Sequence, residues 1–149
     1  MNKINLSDLR LETFTEQNAL DYCQINNINY NKITYLNLQY NKLTDISSIK
    51  IFKKLKELYL YNNQLTDISE LKNLINIVIL DLGNNKIKDL SIIKNLKNLK
   101  WLNIVNLELE SDQIKYIKKL NNLEELWCEN GFKDRSVINQ LDKNIGIIK

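Results

Sequence analysis

The chain has 149 residues, enough for one domain with a continuous core, and its 44% hydrophobic and 26% charged residues are ordinary for a folded globular protein. It contains no histidine, and its 2 cysteines, Cys23 and Cys128, stand far apart; the commonest general base and metal ligand are missing, and neither a metal-ligand spacing nor a disulfide framework exists. A net charge of +3 is too weak to argue for nucleic acid, no stretch approaches the roughly 18 apolar residues of a membrane helix, and MNKINLSDLR lacks the apolar run of a signal peptide, so a cytoplasmic location is expected.

Residues 1–32 read as an N-terminal capping unit. Leu6, Leu9, Leu11 and Phe14 follow the spacing LxxLxLxxN, with Phe14 in the asparagine place. Thr15 is placed to cap a helix over 16–25 that turns Ala19, Leu20 and Cys23 inward. This unit would run from 6 to 33, longer than its followers, as terminal repeats often are.

Regular units then begin at Ile33, Leu55, Ile77, Leu99 and Leu123. LKELYLYNNQLTDISELKNLIN is followed by IVILDLGNNKIKDLSIIKNLKN, the same text twice in 22 residues, and a fixed period of that length means stacked repeats. Leu36, Leu58, Leu80, Leu102 and Leu126 form one column. Leu38, Leu60, Leu82, Ile104 and Cys128 form the next, two residues on. Period-2 alternation places both columns on the inner face of a short strand, and Cys128 reads there as a small buried hydrophobe. Asn41, Asn63 and Asn85 recur where the chain leaves the strand; a stacked amide can donate and accept between adjacent coils, which suits a buried turn. Leu107 interrupts that column, and weaker packing or a local shift is expected there.

On the return side, Leu43, Leu65, Ile87 and Leu109 align, and a two-residue insertion follows Leu109 before the columns resume at Ile114. Ser111 or Asp112 would cap a helix over 113–120, whereas the other returns are short enough for 3₁₀ pieces. Asp45, Asp67 and Asp89 recur as turn caps. Residues 130–149 read as a C-terminal cap with a short helix over 136–141 and a last half-strand over 145–148, covering the edge of the stack.

The alternation also selects the outward-facing residues. They are Tyr35, Asn37, Gln39 and Tyr40; Glu57, Tyr59, Tyr61 and Asn62; Ile79, Asp81, Gly83 and Asn84; Trp101, Asn103, Val105 and Asn106; Glu125, Trp127, Glu129 and Asn130. These 20 positions hold 6 of the 12 aromatic residues, including both tryptophans, together with four acids and no lysine or arginine. Tyrosine and tryptophan dominate binding hot spots, and a negative surface suits a basic or neutral protein partner while repelling a phosphate backbone. The candidate binding residues are therefore Tyr35, Asn37, Tyr40, Glu57, Tyr59, Tyr61, Asp81, Trp101, Asn103, Glu125, Trp127 and Glu129. Lys50, Lys72, Lys94 and Lys118 form a second, basic column on the opposite side, where cations complement the ends of the return segments. No catalytic constellation is present: there is no histidine, and only Gly83, Gly131 and Gly146 are available for a phosphate loop.

LNLQYNKLTDISSI, LYLYNNQLTDISEL and LDLGNNKIKDLSII resemble the short, 22-residue class of leucine-rich repeats, the class of the internalins and of the leucine-rich regulatory subunit of protein phosphatase 1. The resemblance covers about 33–126. It departs from that class at Leu107, in the 24-residue fourth unit, and in lacking the proline that internalins often carry after the Asp-Ile pair. It implies an α/β solenoid, a curved right-handed stack with a parallel β-sheet on the concave side and short helical or 3₁₀ segments on the convex side. The function expected is a non-enzymatic protein-interaction module, an adaptor or regulatory subunit needing no cofactor or metal. The alternative is a structural component of a larger assembly held through the basic side; an RNA-associated adaptor is a third, weaker reading.

Overall fold

The computed structural model describes residues 2–149. Seven strands of three residues each, β1 (Lys3–Asn5), β2 (Tyr35–Asn37), β3 (Glu57–Tyr59), β4 (Ile79–Asp81), β5 (Trp101–Asn103), β6 (Glu125–Trp127) and β7 (Gly146–Ile148), form one parallel sheet in sequence order. Parallel neighbours require a crossover. Here each crossover is a 3₁₀ segment, Ser47–Ile51, Ser69–Asn73 and Ser91–Asn95 in the three regular units. A three-residue strand turns only its central side chain into the core, so the core is built by stacking: Leu36, Leu58, Leu80, Leu102 and Leu126 lie in register and are fully buried. At roughly 1.5–3 kcal/mol per fully buried leucine, this column and its partner at Leu38, Leu60, Leu82 and Ile104 form the spine of the fold.

Hydrogen bonding explains the asparagine column. Asn63 Nδ2 donates to Leu38 O (2.9 Å) and Leu60 O (3.0 Å), and its Oδ1 accepts from Leu43 N–H (3.0 Å). Asn41 does the same for Leu6 O, Leu38 O and Leu11 N–H, and Asn85 for Leu60 O, Leu82 O and Leu65 N–H. One amide thus satisfies groups of its own coil and the preceding one. The aspartates cap the 3₁₀ segments: Asp45, Asp67 and Asp89 each accept from the backbone N–H and hydroxyl of the serine two residues on.

Where the asparagine is missing the turn changes shape. In the regular units only the preceding residue, Tyr40, Asn62 or Asn84, has positive φ. Around Leu9 and Leu107, which occupy the asparagine place, two residues do: Asp8 and Arg10, then Asn106 and Glu108. Leu107 stays fully buried, so the change is a local shift and the packing is not loosened. Lys88 Nζ donates to Leu107 O (2.6 Å), a contact the regular turns lack.

The ends differ from the sequence reading in register. The first strand is Lys3–Asn5, with Ile4 in the Leu36 column and Leu6 continuing the inner face; Leu6 N–H donates to Asn37 O (2.8 Å). Leu9 is therefore not a core leucine and is 55% exposed. α1 (Glu16–Ile25) is capped by Thr15 and Asn18 in a reciprocal box, with Ala19 and Cys23 buried and Leu20 only half-buried. It packs on the 3₁₀ segment Ser47–Ile51, where buried Ser48 takes the place of Glu70 and Ile92 in later units. The fourth return holds a 3₁₀ turn, Ser111–Gln113, leading into α2 (Ile114–Ile117), so the helix stops short of the expected 120. A 3₁₀ segment, Arg135–Gln140, and β7 end the stack.

Candidate protein-binding face

The open face of the sheet carries three rows of side chains. The register aligns Tyr35, Glu57, Ile79, Trp101 and Glu125 in one row, and Asn37, Tyr59, Asp81, Asn103 and Trp127 in the second. Gln39, Tyr61, Gly83, Val105 and Glu129 follow two residues later.

The aromatics pair between neighbouring strands. Tyr35 and Tyr59 rings are 5.3 Å apart, Tyr40 and Tyr61 5.6 Å, and Trp101 and Trp127 5.8 Å, all tilted or edge-on, the arrangement the aromatic quadrupole favours. They stay accessible: Tyr40 is 50% exposed and Trp127 39%, with Tyr35, Tyr59, Tyr61 and Trp101 half-buried. Glu125 Oε1 accepts from Trp101 Nε1 (2.9 Å) and also from Trp127 Nε1, so one carboxylate fixes both indoles. Tyr59 O–H donates to Glu57 Oε2 (3.3 Å). Burial, then the Glu57 charge and that bond, push the Tyr59 phenol up to about 12.

Two of the twelve sequence-selected residues are not surface groups. Asp81 is only 4% exposed and Asn103 only 6%. Asp81 Oδ2 accepts from Gln39 Nε2 (2.8 Å) and Oδ1 from Gly83 N–H (3.3 Å), while Asn103 Oδ1 accepts from Val105 N–H (2.8 Å). Alternation gives the face a residue points to but not its depth, and here the taller rings of Tyr61, Trp101 and Trp127 stand around the middle of the second row and leave Asp81 and Asn103 at the bottom of a depression. Burial pushes the Asp81 carboxyl above its ordinary range, against the bonds from Gly83, Gln39 and Asn103 that lower it. Asn37 and Glu57 are half-buried and Glu129 is exposed.

The turn edge of this face carries a feature beyond that set. Asn130 Nδ2 donates to Asn106 Oδ1 (3.1 Å), Asn106 Nδ2 to Asn84 Oδ1 (2.7 Å), and Asn84 Nδ2 to the Tyr61 hydroxyl (2.7 Å). The signal in the sequence is the repeated Asn at these positive-φ positions, which tolerate asparagine better than most residues.

The convex lysines are exposed, and two have partners: Lys50 pairs with Glu16 (3.1 Å), and Lys94 Nζ lies 5.9 Å from the Tyr116 ring centroid. Cys23 and Cys128 are free and buried, and burial raises both thiols. Among the described residues no group of three or more acid or cysteine side chains is placed to hold a metal, and no helix is long and apolar enough to cross a membrane.

The stacked parallel coils and the asparagine column define a leucine-rich repeat fold, and the comparisons with known proteins agree. The family model for leucine-rich repeats (2 copies) matches residues 31–73 and 53–95. An internalin, inlF, of Listeria monocytogenes superposes with a TM-score of 0.71 at 27% identity, covering 80% of this chain and 35% of its own. Internalin C2 of the same organism gives 0.67 at 28% identity over 96% of this chain and 56% of its own. A leucine-rich repeat protein of Leptospira interrogans gives 0.75 at 27% identity over 97% of this chain and 36% of its own. This chain thus spans between about a third and just over half the length of these proteins. No curated protein matches the sequence. The matched repeats and the solved structures are consistent with a leucine-rich repeat protein of the short-repeat class. That fold is commonly a protein-interaction module, and leucine-rich repeat proteins are generally non-enzymatic.

Proposed function

We propose that this protein is an adaptor or regulatory subunit that binds a protein partner through the concave sheet. The observation that carries the reading is the set of six accessible aromatics, paired strand to strand and held by Glu125, Glu57 and Asn84, on a face where β2 to β6 present no outward lysine or arginine and the outward Lys3 of β1 lies over the Tyr35 ring (5.0 Å). Such a face is preformed, so binding costs little ordering of loops or rotamers. Tyr59, Trp101 and Trp127 are the anchors, with Tyr35, Tyr40 and Tyr61 beside them. Asn37 and Asn103 are polar neighbours, and Glu57, Glu125 and Glu129 favour a basic or neutral contact surface. Two free, buried thiols suit a reducing cytoplasm.

The test is affinity capture from native lysate with the wild type beside a Tyr59→Ala/Trp101→Ala variant shown by circular dichroism to fold. A protein captured by the wild type and lost by the variant, with about 30-fold weaker affinity (2 kcal/mol or more) when purified, supports the reading. A partner that the variant retains overturns it. The lost-contact candidate would then be the lysine column, as in a structural component docked through its convex side. Lys50 and Lys94 are already engaged within the chain, which makes that surface the weaker one.

A further inference from the structure

The middle of the concave face is not flat. A cleft of about 390 Å³ opens there, with Tyr61, Trp101 and Trp127 as walls, Asp81 and Asn103 in its floor, and Glu129 at its edge. Its origin is in the third row, where Gly83 stands between Tyr61 and Val105. A Cβ at Gly83 would come within 2.9 Å of Tyr61 Cδ2 and 3.1 Å of the Asn103 amide, so the glycine makes the depression possible.

The floor holds an unusual group. Asp81 is more than nine-tenths buried, yet its partners are neutral: the Gln39 amide, the Gly83 N–H and the Asn103 amide. None of the five ion pairs among the described residues involves Asp81, Glu129, Glu125 or Glu57, and no lysine or arginine lines the cleft. Removing a carboxylate from water without a counter-charge is costly. Neutral amides reduce that cost but do not supply the missing positive charge. Burial accordingly outweighs them and raises the carboxyl. The walls are aromatic faces, which attract cations, and a planar guanidinium also stacks on them. A neutral or acidic side chain would gain neither the charge pairing nor the cation–π contact.

We propose that this cleft receives an arginine side chain of the protein partner, its guanidinium held between Asp81 and Glu129 and flanked by the tryptophan and Tyr61 rings. The inference rests on the concave-face reading above and names the partner group that face selects. Glu125 is left to its own task, since both indole N–H groups already bond to it and keep the walls upright.

The chain has only 2 tryptophans, and both line the cleft, so their indole N–H signals in a ¹H–¹⁵N NMR spectrum report occupancy directly. The probe is N-acetyl-arginine amide, titrated into the full chain beside the neutral N-acetyl-citrulline amide at matched ionic strength. The expected result is saturable movement of both indole signals, with a dissociation constant on the order of millimolar for so small a ligand. Citrulline should bind at least about 10-fold more weakly, because a charged hydrogen bond to a buried carboxylate is lost. Asp81→Asn should weaken the arginine probe by about 10-fold, and Glu129→Gln by less. Equal response to both probes, no saturation with arginine, or unaltered arginine binding in Asp81→Asn each overturns the proposal. The wild-type comparison needs no variant, so a poorly folding Asp81→Asn does not decide it. Failure here, with capture still lost in Tyr59→Ala/Trp101→Ala, would leave the binding face standing and remove only its arginine pocket.

Discussion

Asn63 is the position at which the ladder can be tested quantitatively. Replacing it with alanine removes three hydrogen bonds, but the three groups left behind are not equally exposed to the loss. Leu38 O keeps the donor from Asn41 Nδ2 (2.9 Å), and Leu60 O keeps the donor from Asn85 Nδ2 (2.9 Å). Leu43 N–H, buried with its residue, loses Asn63 Oδ1 outright. An orphaned buried donor costs about 1–3 kcal/mol, and weakened solvation of two carbonyls adds about 1 kcal/mol more, so Asn63→Ala should lose about 2–4 kcal/mol. Asn85→Ala should cost at least as much: Leu65 N–H is orphaned, and Leu82 O has no following amide to replace the lost one, because Leu107 stands there. The double variant removes both donors to Leu60 O, and its loss should exceed the sum of the single losses by about 1 kcal/mol. Urea unfolding followed by far-ultraviolet circular dichroism measures all three, provided the m value is unchanged. A loss below about 0.5 kcal/mol in both single variants, or strict additivity in the double, would refute this account of the ladder.

Gly83→Ala should displace the Tyr61 ring, cost about 1–3 kcal/mol of overpacking, and change the near-ultraviolet circular dichroism of the concave aromatics, since its Cβ has Tyr61 Cδ2 at 2.9 Å. The phenol of Tyr59 is raised to about 12, whereas an unfolded tyrosine ionises near about 10. Its contribution is therefore fully present below pH of about 10 and lost as pH rises through about 12, because the unfolded chain releases the proton first. Tyr59→Phe should flatten that alkaline decline, measured as unfolding midpoint against pH. Thr15→Ala removes the reciprocal cap with Asn18 and should cost about 1 kcal/mol, with faster amide exchange confined to α1 if the effect is local.

The repeat period was readable because the same 22 residues are written twice, and each periodic leucine, asparagine and aspartate has one structural task. The helix over Glu16–Ile25 was readable because Thr15 announces it. The first strand was not. Lys3–Asn5 buries only Ile4, too little to leave a pattern, while Leu6, Leu9 and Leu11 happen to reproduce the motif spacing further along the chain, a spacing that would put Leu9 in the column that Ile4 occupies. On the binding face, alternation identified the side of the sheet for Asp81 and Asn103. Their burial depends on the height of residues one strand away, on rings such as Tyr61 and Trp101, and on Gly83 leaving a gap between them. Those are lateral relations between residues about 22 positions apart, and a local pattern contains none of them. The string from Asn130 through Asn106 and Asn84 to Tyr61 is lateral in the same way.

The ladder also makes the length of this molecule adjustable. Asn63 bonds only its own coil and the one before it, and the turns on both sides of it have the same shape, so residues 55–76 can be copied in tandem without creating a new kind of junction. Each copy would widen the sheet by one strand spacing, roughly 4.8 Å, and add one recognition position to each of the three rows, as between Tyr59 and Asp81. The molecule is in this sense a ruler graduated in strands, with Leu9 and Leu107 marking the two ends of its uniform scale.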